Sequence, residues 1–178
     1  MTPEEIKALV RTVPDFPAKG IQFRDITTLI ADGPGLAATV ELLAEKARLS
    51  GAQAIAGMEA RGFIFGTAVA VRLGLGFIPV RKAGKLPVET IGIDYALEYG
   101  ADRLEIDPTA IVEGQRIVMV DDLIATGGTA LAAAQLLRQA GAVIEQALFV
   151  IDLPDLSGAA LLRDAGIAVD AVMDFEGD

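Results

Sequence analysis

With 178 residues, the chain suits one compact α/β domain, and a hydrophobic content of 52% gives it ample core material and argues against disorder. It holds no cysteine and no histidine, which excludes disulfide frameworks, thiolate and imidazole metal sites, and Ser-His or Cys-His catalysis. A net charge of −10 argues against a nucleic-acid partner, and no apolar run approaches membrane-spanning length, so a soluble, cytoplasmic protein is expected.

Thr2-Pro3-Glu4-Glu5 predicts a helix start: a capping hydroxyl, a proline in the first turn, then acids facing the dipole. Ile6, Leu9, Val10 and Val13 fall at helical spacing and extend that helix until Pro14 and Pro17 end it. The stretch from Phe16 to Ile26 is rich in breakers yet keeps two aromatics and the Arg24-Asp25 pair, which suits either a pocket cap or a packed surface loop. Leu36 to Leu49 predicts an amphipathic helix closed by Gly51, and Ala52 to Gly57 a short buried strand. Glu59-Ala60-Arg61-Gly62 follows at that strand's carboxyl end, the edge where open α/β sheets bind ligands, and leads into a helix from about Phe63 to Leu73. Arg61 there could neutralise a phosphate with its forked donors, or pair with Glu59.

Gly76 to Arg81 reads as a third strand, and Arg81, Lys82 and Lys85 form a basic cluster in an otherwise acidic chain. From Leu86 to Ile106 the pattern loosens. Ile91, Ile93, Tyr95, Leu97 and Tyr99 alternate, predicting an antiparallel hairpin that is either a lid or a decoration.

The most informative stretch runs from Val118 to Ala130. A β-branched run predicts a buried strand from Arg116 to Val120, stopped by Asp121 and Asp122. Ala125-Thr126-Gly127-Gly128-Thr129 then turns into an Ala/Leu-rich helix from Thr129 to Ala140. Small residues let an anion approach the unpaired N–H groups of a helix N-terminus, and two threonine hydroxyls add donors, so the loop suits a monophosphate. The acids suit the vicinal hydroxyls of a ribose with a divalent cation nearby. The bland alternative is an ordinary turn with aspartate caps. No lysine follows the second glycine as in a Walker loop, and no G-x-G-x-x-G occurs. Val143–Asp152, Ser157–Ala165 and Ile167–Phe175 complete the alternation as strand, helix and strand, which means a mainly parallel sheet flanked by helices.

The stretch from Val118 to Ala130 resembles the signature of the type I phosphoribosyltransferases, which bind phosphoribosyl pyrophosphate (PRPP). Three further blocks, in the same order, are similar to the adenine-using members of that family. These are Phe16-Pro17 to Gly20 with Phe23-Arg24-Asp25-Ile26, then Glu59 to Phe63, then Val80 to Pro87 with Leu97-Glu98-Tyr99-Gly100 and Leu104-Glu105-Ile106. The resemblance implies one phosphoribosyltransferase domain over 1–178, with a hood at 1–34 and a flexible β-hairpin lid at 82–106. It implies transfer of the phosphoribosyl group to N9 of adenine, with Mg2+ carried on PRPP beside Asp121 and Asp122 and no direct protein ligand set.

In that reading Asp121 and Asp122 hold the ribose, and Ala125, Thr126, Gly127, Gly128 and Thr129 hold its phosphate. Arg61, Arg81, Lys82 and Lys85 face the pyrophosphate. Gln22, Phe23 and Arg24 form the base segment, and Glu98 and Tyr99 come from the lid. Oxopurine-using relatives usually carry an acid where Ala125 stands, so Ala125 favours adenine; the resemblance offers Glu98 as the proton-handling group, the alternative being a residue that only closes the lid. A homodimer is implied, with Arg81 acting within the chain or across the interface. A PRPP-sensing regulator, an enzyme for another purine and a PRPP-making enzyme are the alternatives.

Overall fold

The computed structural model describes residues 1–97 and 100–177. Five strands run parallel, and three of their four connections are helical crossovers. The strands are β3 (Ala54–Met58), β4 (Gly76–Lys82), β7 (Ile117–Ile124), β8 (Gln146–Asp152) and β9 (Ala168–Asp174). A hairpin, β5 (Ile91–Leu97) and β6 (Gly100–Ile106), adds antiparallel to β4, giving the order β5-β6-β4-β3-β7-β8-β9.

The central strands are buried on both faces, hence their nearly unbroken apolar sequences. On one face Ile55, Val118, Val120, Leu148 and Val150 meet α1 (Pro3–Lys7), α3 (Gly33–Leu49) and α4 (Arg61–Leu73). On the other, Ala56, Met119 and Phe149 meet α5 (Gly128–Gln139) and α6 (Gly158–Asp164). Ile91, Ile93 and Tyr95 pack on this second core, so the base of the hairpin continues the sheet.

From β3 the chain crosses through α4 to β4 on one side, and from β7 it crosses through α5 to β8 on the other. The strand order therefore reverses between β3 and β7, and the loops at their carboxyl ends diverge to leave a crevice.

The N-terminal helix is shorter than its apolar spacing predicts. It stops at Lys7, with the expected capping box between Thr2 and Glu5. Arg11–Pro14 is instead a strand, β1, paired antiparallel with β2 (Gln22–Asp25). β-branched Thr12 and Val13 suit the ladder, and an Arg11–Asp25 ion pair closes its end. Asp25 also accepts from the Thr27 amide at 2.9 Å. Its hydrogen bonds with Thr27, helped by Arg11, hold its carboxyl down at about 2. A short helix, α2 (Thr27–Ala31), follows, and α3 begins at Gly33, earlier than the predicted Leu36, because Asp32 caps it and Pro34 occupies its first turn. The two acids do not stop β7, as expected of them: the ladder to β8 continues to Ile124, paired with Asp152.

Candidate active site

A cavity of about 210 Å³ opens at the strand-order reversal, lined by residues 58–61 at the carboxyl end of β3 and 121–130 from the carboxyl half of β7 into α5. It gathers Arg61, Asp121, Asp122, Ala125, Thr126, Gly127, Gly128 and Thr129, all anticipated from the sequence.

Two helices start at this cavity. α4 begins at Arg61 behind Ala60, and α5 begins at Gly128 behind Gly127; neither has a side-chain cap. Their first N–H groups are therefore free of side-chain partners, and both dipoles present positive ends to the cleft. The α5 loop is shaped by contact with the next crossover. Gly127 sits at φ 83°, and a Cβ on it would meet the Gly158 carbonyl at 2.8 Å. A Cβ on Gly128 would meet no protein atom within 4 Å, which leaves its cavity side open to a ligand.

Between the helix starts lie the two acids. Asp122 is only 4% exposed, and Asp121 accepts the Asp122 amide at 2.8 Å. Burial, then the neighbouring Asp122 charge, pushes the Asp121 carboxyl well above the usual carboxylate range. Burial also raises Asp122, and the Arg61 charge partly offsets this. Arg61 Nε lies 2.9 Å from Asp122 Oδ2 without hydrogen-bond alignment, and that buried oxygen has no hydrogen-bond partner. Hydroxyl donors or a cation would stabilise the ionised form of such a pair. Gly62 permits the crowding, since a Cβ there would come 2.7 Å from Asp121 Oδ1.

The basic cluster is arranged differently. Arg81 donates from Nε to Glu59 at 2.9 Å and from Nη1 to the Lys85 carbonyl at 3.3 Å. Glu59 also accepts the Lys82 amide at 2.8 Å, and the Lys82 ammonium pairs with Asp102 beside the Tyr95 hydroxyl. Arg61 thus pairs with Asp122, while Glu59 takes Arg81. Arg81, Lys82 and Lys85 do not line the cavity; Glu59, which does, ties the first two to its wall.

The tethering role of Glu59 was missed from sequence. It rests on strand register rather than on a local pattern: Met58 pairs with Val80, and so the residues after them, Glu59 and Arg81, fall side by side. Gln22, Phe23 and Arg24 lie on β2, where Phe23 meets Phe16 edge to face at 5.2 Å, and they too are outside the cavity lining. Glu98 and Tyr99 fall outside the described residues.

Residues 27–157 match the model for the phosphoribosyl transferase domain. The chain is 75% identical over 177 residues to the adenine phosphoribosyltransferase of Novosphingobium aromaticivorans, covering 99% of each, and 74% identical to that of Erythrobacter litoralis over the same span. The solved adenine phosphoribosyltransferase of Thermoanaerobacter pseudethanolicus superposes with a TM-score of 0.92 at 46% identity, covering 98% of this chain and all of that one. The Saccharomyces cerevisiae enzyme, solved with adenine and an imino-altritol bisphosphate, does so with a TM-score of 0.88 at 38% identity, covering 96% and 97%. Fold, cleft and full-length similarity agree: the chain belongs to the adenine phosphoribosyltransferases, within the phosphoribosyl transferase domain family.

Proposed function

We propose that the cleft between β3 and β7 carries out adenine phosphoribosyl transfer: adenine and PRPP give AMP and pyrophosphate, a purine-salvage reaction. The observation that carries this assignment to the cleft is the convergence of two open helix N-termini on either side of a buried acid pair. In the reaction the C1′–N9 bond forms, the C1′–O bond to pyrophosphate breaks, and the N9 proton leaves the base. Positive charge builds on the ribose and negative charge on the leaving group.

The α5 start, from Ala125 to Thr129, anchors the ribose phosphate through N–H and hydroxyl donors, and this remote binding positions C1′. Asp121 and Asp122 accept the ribose hydroxyls and stand near the developing cation. Arg61 and the amides of the α4 start face the pyrophosphate, with Arg81, Lys82 and Lys85 behind them; stabilising charge that develops in the transition state is often the largest catalytic contribution. The described residues hold no group of three carboxylates able to cage a metal ion. The acid pair, with its unpartnered Asp122 oxygen, instead fits a Mg2+ ion that arrives on PRPP, as Mg2+ commonly arrives on phosphates. When bound, Mg2+ neutralises charge on the pyrophosphate.

Phe23 stacks on the purine, the backbone at Gln22 reads its edge, and Arg24 supports both. Residues 1–34 serve as hood and 82–106 as lid within one domain. Closure excludes water that would hydrolyse PRPP, with Tyr99 packing over the site and Glu98 exchanging the proton. A cytoplasmic location fits these metabolites, and no helix among the described residues is long and apolar enough to cross a membrane.

One experiment tests the assignment. With PRPP and Mg2+, nucleotide forms from adenine and not from hypoxanthine or guanine; equal turnover of an oxopurine would overturn it. In the same assay Glu98→Gln, which keeps size but cannot exchange a proton, lowers single-turnover kcat by at least about tenfold with PRPP affinity unchanged. A Gln variant with most of the original rate would leave Glu98 a lid residue only.

We also propose a homodimer built on the face between α3 and α4. An apolar groove of about 840 Å³ lies there, bordered by Leu36, Val40, Phe63, Ile64 and Val71, with Val71 76% exposed. Val71→Asp is expected to give a monomer by sedimentation velocity, and an unchanged dimer would place the interface elsewhere. Arg81 is held by Glu59 of its own chain, so service across the interface would require that pair to open.

A further inference from the structure

The C-terminal segment is tied to the base-reading strand, and the tie continues to the phosphate loop. Arg24 on β2 donates from Nη2 to the Gly177 carbonyl at 2.7 Å and to the Glu176 carbonyl at 3.1 Å. Its Nη1 donates to Thr12 on the neighbouring strand at 2.7 Å. No carboxylate pairs with Arg24 among the described residues; its guanidinium lies 4.7 Å from the centroid of the half-buried Phe175 ring, as does the Lys7 ammonium.

The tail is anchored from the opposite side. The Phe175 amide donates to the Asp152 carbonyl at 3.0 Å, and the Gly177 amide to the Asp155 carboxylate at 2.8 Å. The segment that runs from Asp152 at the end of β8 through Asp155 in turn holds the end of β7 and the loop after it, with Leu153 N–H on the Ile124 carbonyl at 3.1 Å and Gly158 N–H on the Ala125 carbonyl at 3.0 Å. A run of short contacts therefore links Ala125, the loop from 152 to 158, the tail and Arg24. β2 and the tail both lie outside residues 27–157, the part shared with the general phosphoribosyl transferase domain.

We infer that Phe175–Gly177 is a positioning strut for purine recognition: it fixes Arg24, and through Arg24 the strand that presents Gln22 and Phe23, relative to the phosphate loop. Phe175 and Asp155 are positioning residues in this scheme and touch no substrate. The inference rests on the assignment of Gln22 and Phe23 to the base. It accounts for a C-terminal sequence that the reaction chemistry itself does not use. A ring within reach of two cations and a charged donor on tail carbonyls are interactions able to set the strand, and neither belongs to the lining of the cleft.

The test compares full-length Phe175→Leu, Phe175→Tyr, Asp155→Ala and Phe23→Ala by steady-state kinetics with adenine and PRPP varied separately. Phe175→Leu keeps apolar bulk but loses the ring face, and Asp155→Ala frees the tail amide; each should raise the adenine KM by about five- to thirtyfold. In both, the PRPP KM should stay within about twofold, since uniform binding lost at one subsite leaves the other intact. Phe175→Tyr, which retains the ring, should restore the adenine KM. The strut is overturned if Phe23→Ala raises the adenine KM while Phe175→Leu and Asp155→Ala do not. It is also overturned if the KM values for adenine and PRPP rise together, or if the Tyr variant behaves as the Leu variant does. An unchanged adenine KM in Phe23→Ala would overturn both the strut and the base assignment beneath it.

Discussion

Arg61→Ala is expected to lower kcat/KM by about two to four orders of magnitude, equivalent to about 3–5 kcal/mol of transition-state stabilisation. The side chain sits at the start of α4, half-exposed to the cleft, where in the proposed reaction the departing pyrophosphate gathers negative charge. Removing it takes away a delocalised cation and its forked donors together. The variant also leaves the buried Asp122 beside one fewer positive charge, so a loss of stability accompanies the loss of rate, and the two must be separated by measuring Tm alongside kinetics. Arg61→Lys keeps the charge without the fork and should fall between the two. Arg48→Ala provides the contrast: Arg48 is an exposed arginine paired with Glu45 at the far end of α3, and its loss should change kcat/KM by no more than about twofold. Mild and equal effects of Arg61→Ala and Arg48→Ala would remove Arg61 from the leaving-group site.

The second large effect concerns the two adjacent glycines of the proposed phosphate loop, which the structure places in different surroundings. Gly127 is needed for folding, because its φ of 83° disfavours any side chain and a Cβ would press on the Gly158 backbone. Gly127→Val should therefore cost about 2–4 kcal/mol of stability. Gly128 has ordinary φ and open space around a built Cβ, so Gly128→Val should fold with a near-native Tm. It should nevertheless weaken PRPP binding by about two orders of magnitude or more, because the valine occupies the volume through which a phosphate reaches the first α5 amides. Calorimetry with PRPP and a thermal melt on the same preparation check both halves. A folded Gly128→Val protein that binds PRPP normally would move the phosphate elsewhere.

The legible part of the site was contiguous in sequence. Asp121, Asp122 and the loop from Ala125 to Thr129 announce strand, acids and helix start within one short stretch, and α5 was expected within a residue of where it begins. Local rules govern each of those choices. The illegible parts depend on partners distant in the chain. Val13 continues the helical spacing of Ile6, Leu9 and Val10, yet it belongs to a ladder with Phe23, because strand pairing overrode a local period. Glu59 meets Arg81 across 22 residues, and Arg24 meets the tail across 152. No pattern within a window of sequence carries the second contact. The β7 boundary was misplaced for a related reason: charged Asp121 and Asp122 look like a stop, but the ladder to β8 keeps its register past them.

Of the three long helices, α3 carries its own cap in Asp32, whereas α4 and α5 begin without one at the cleft. A missing capping side chain typically costs a helix about 1 kcal/mol, and only a few tenths where glycine holds the cap, as Gly127 does before α5. The α4 and α5 starts both lack a side-chain partner, and in the proposed binding mode PRPP, through its two phosphate-bearing ends, would complete both. On that proposal, substrate supply would act on the lifetime of the polypeptide as well as on its turnover. A cell short of PRPP would hold this protein in its less stable form, more open to local unfolding and to proteases, and abundance would follow the metabolite.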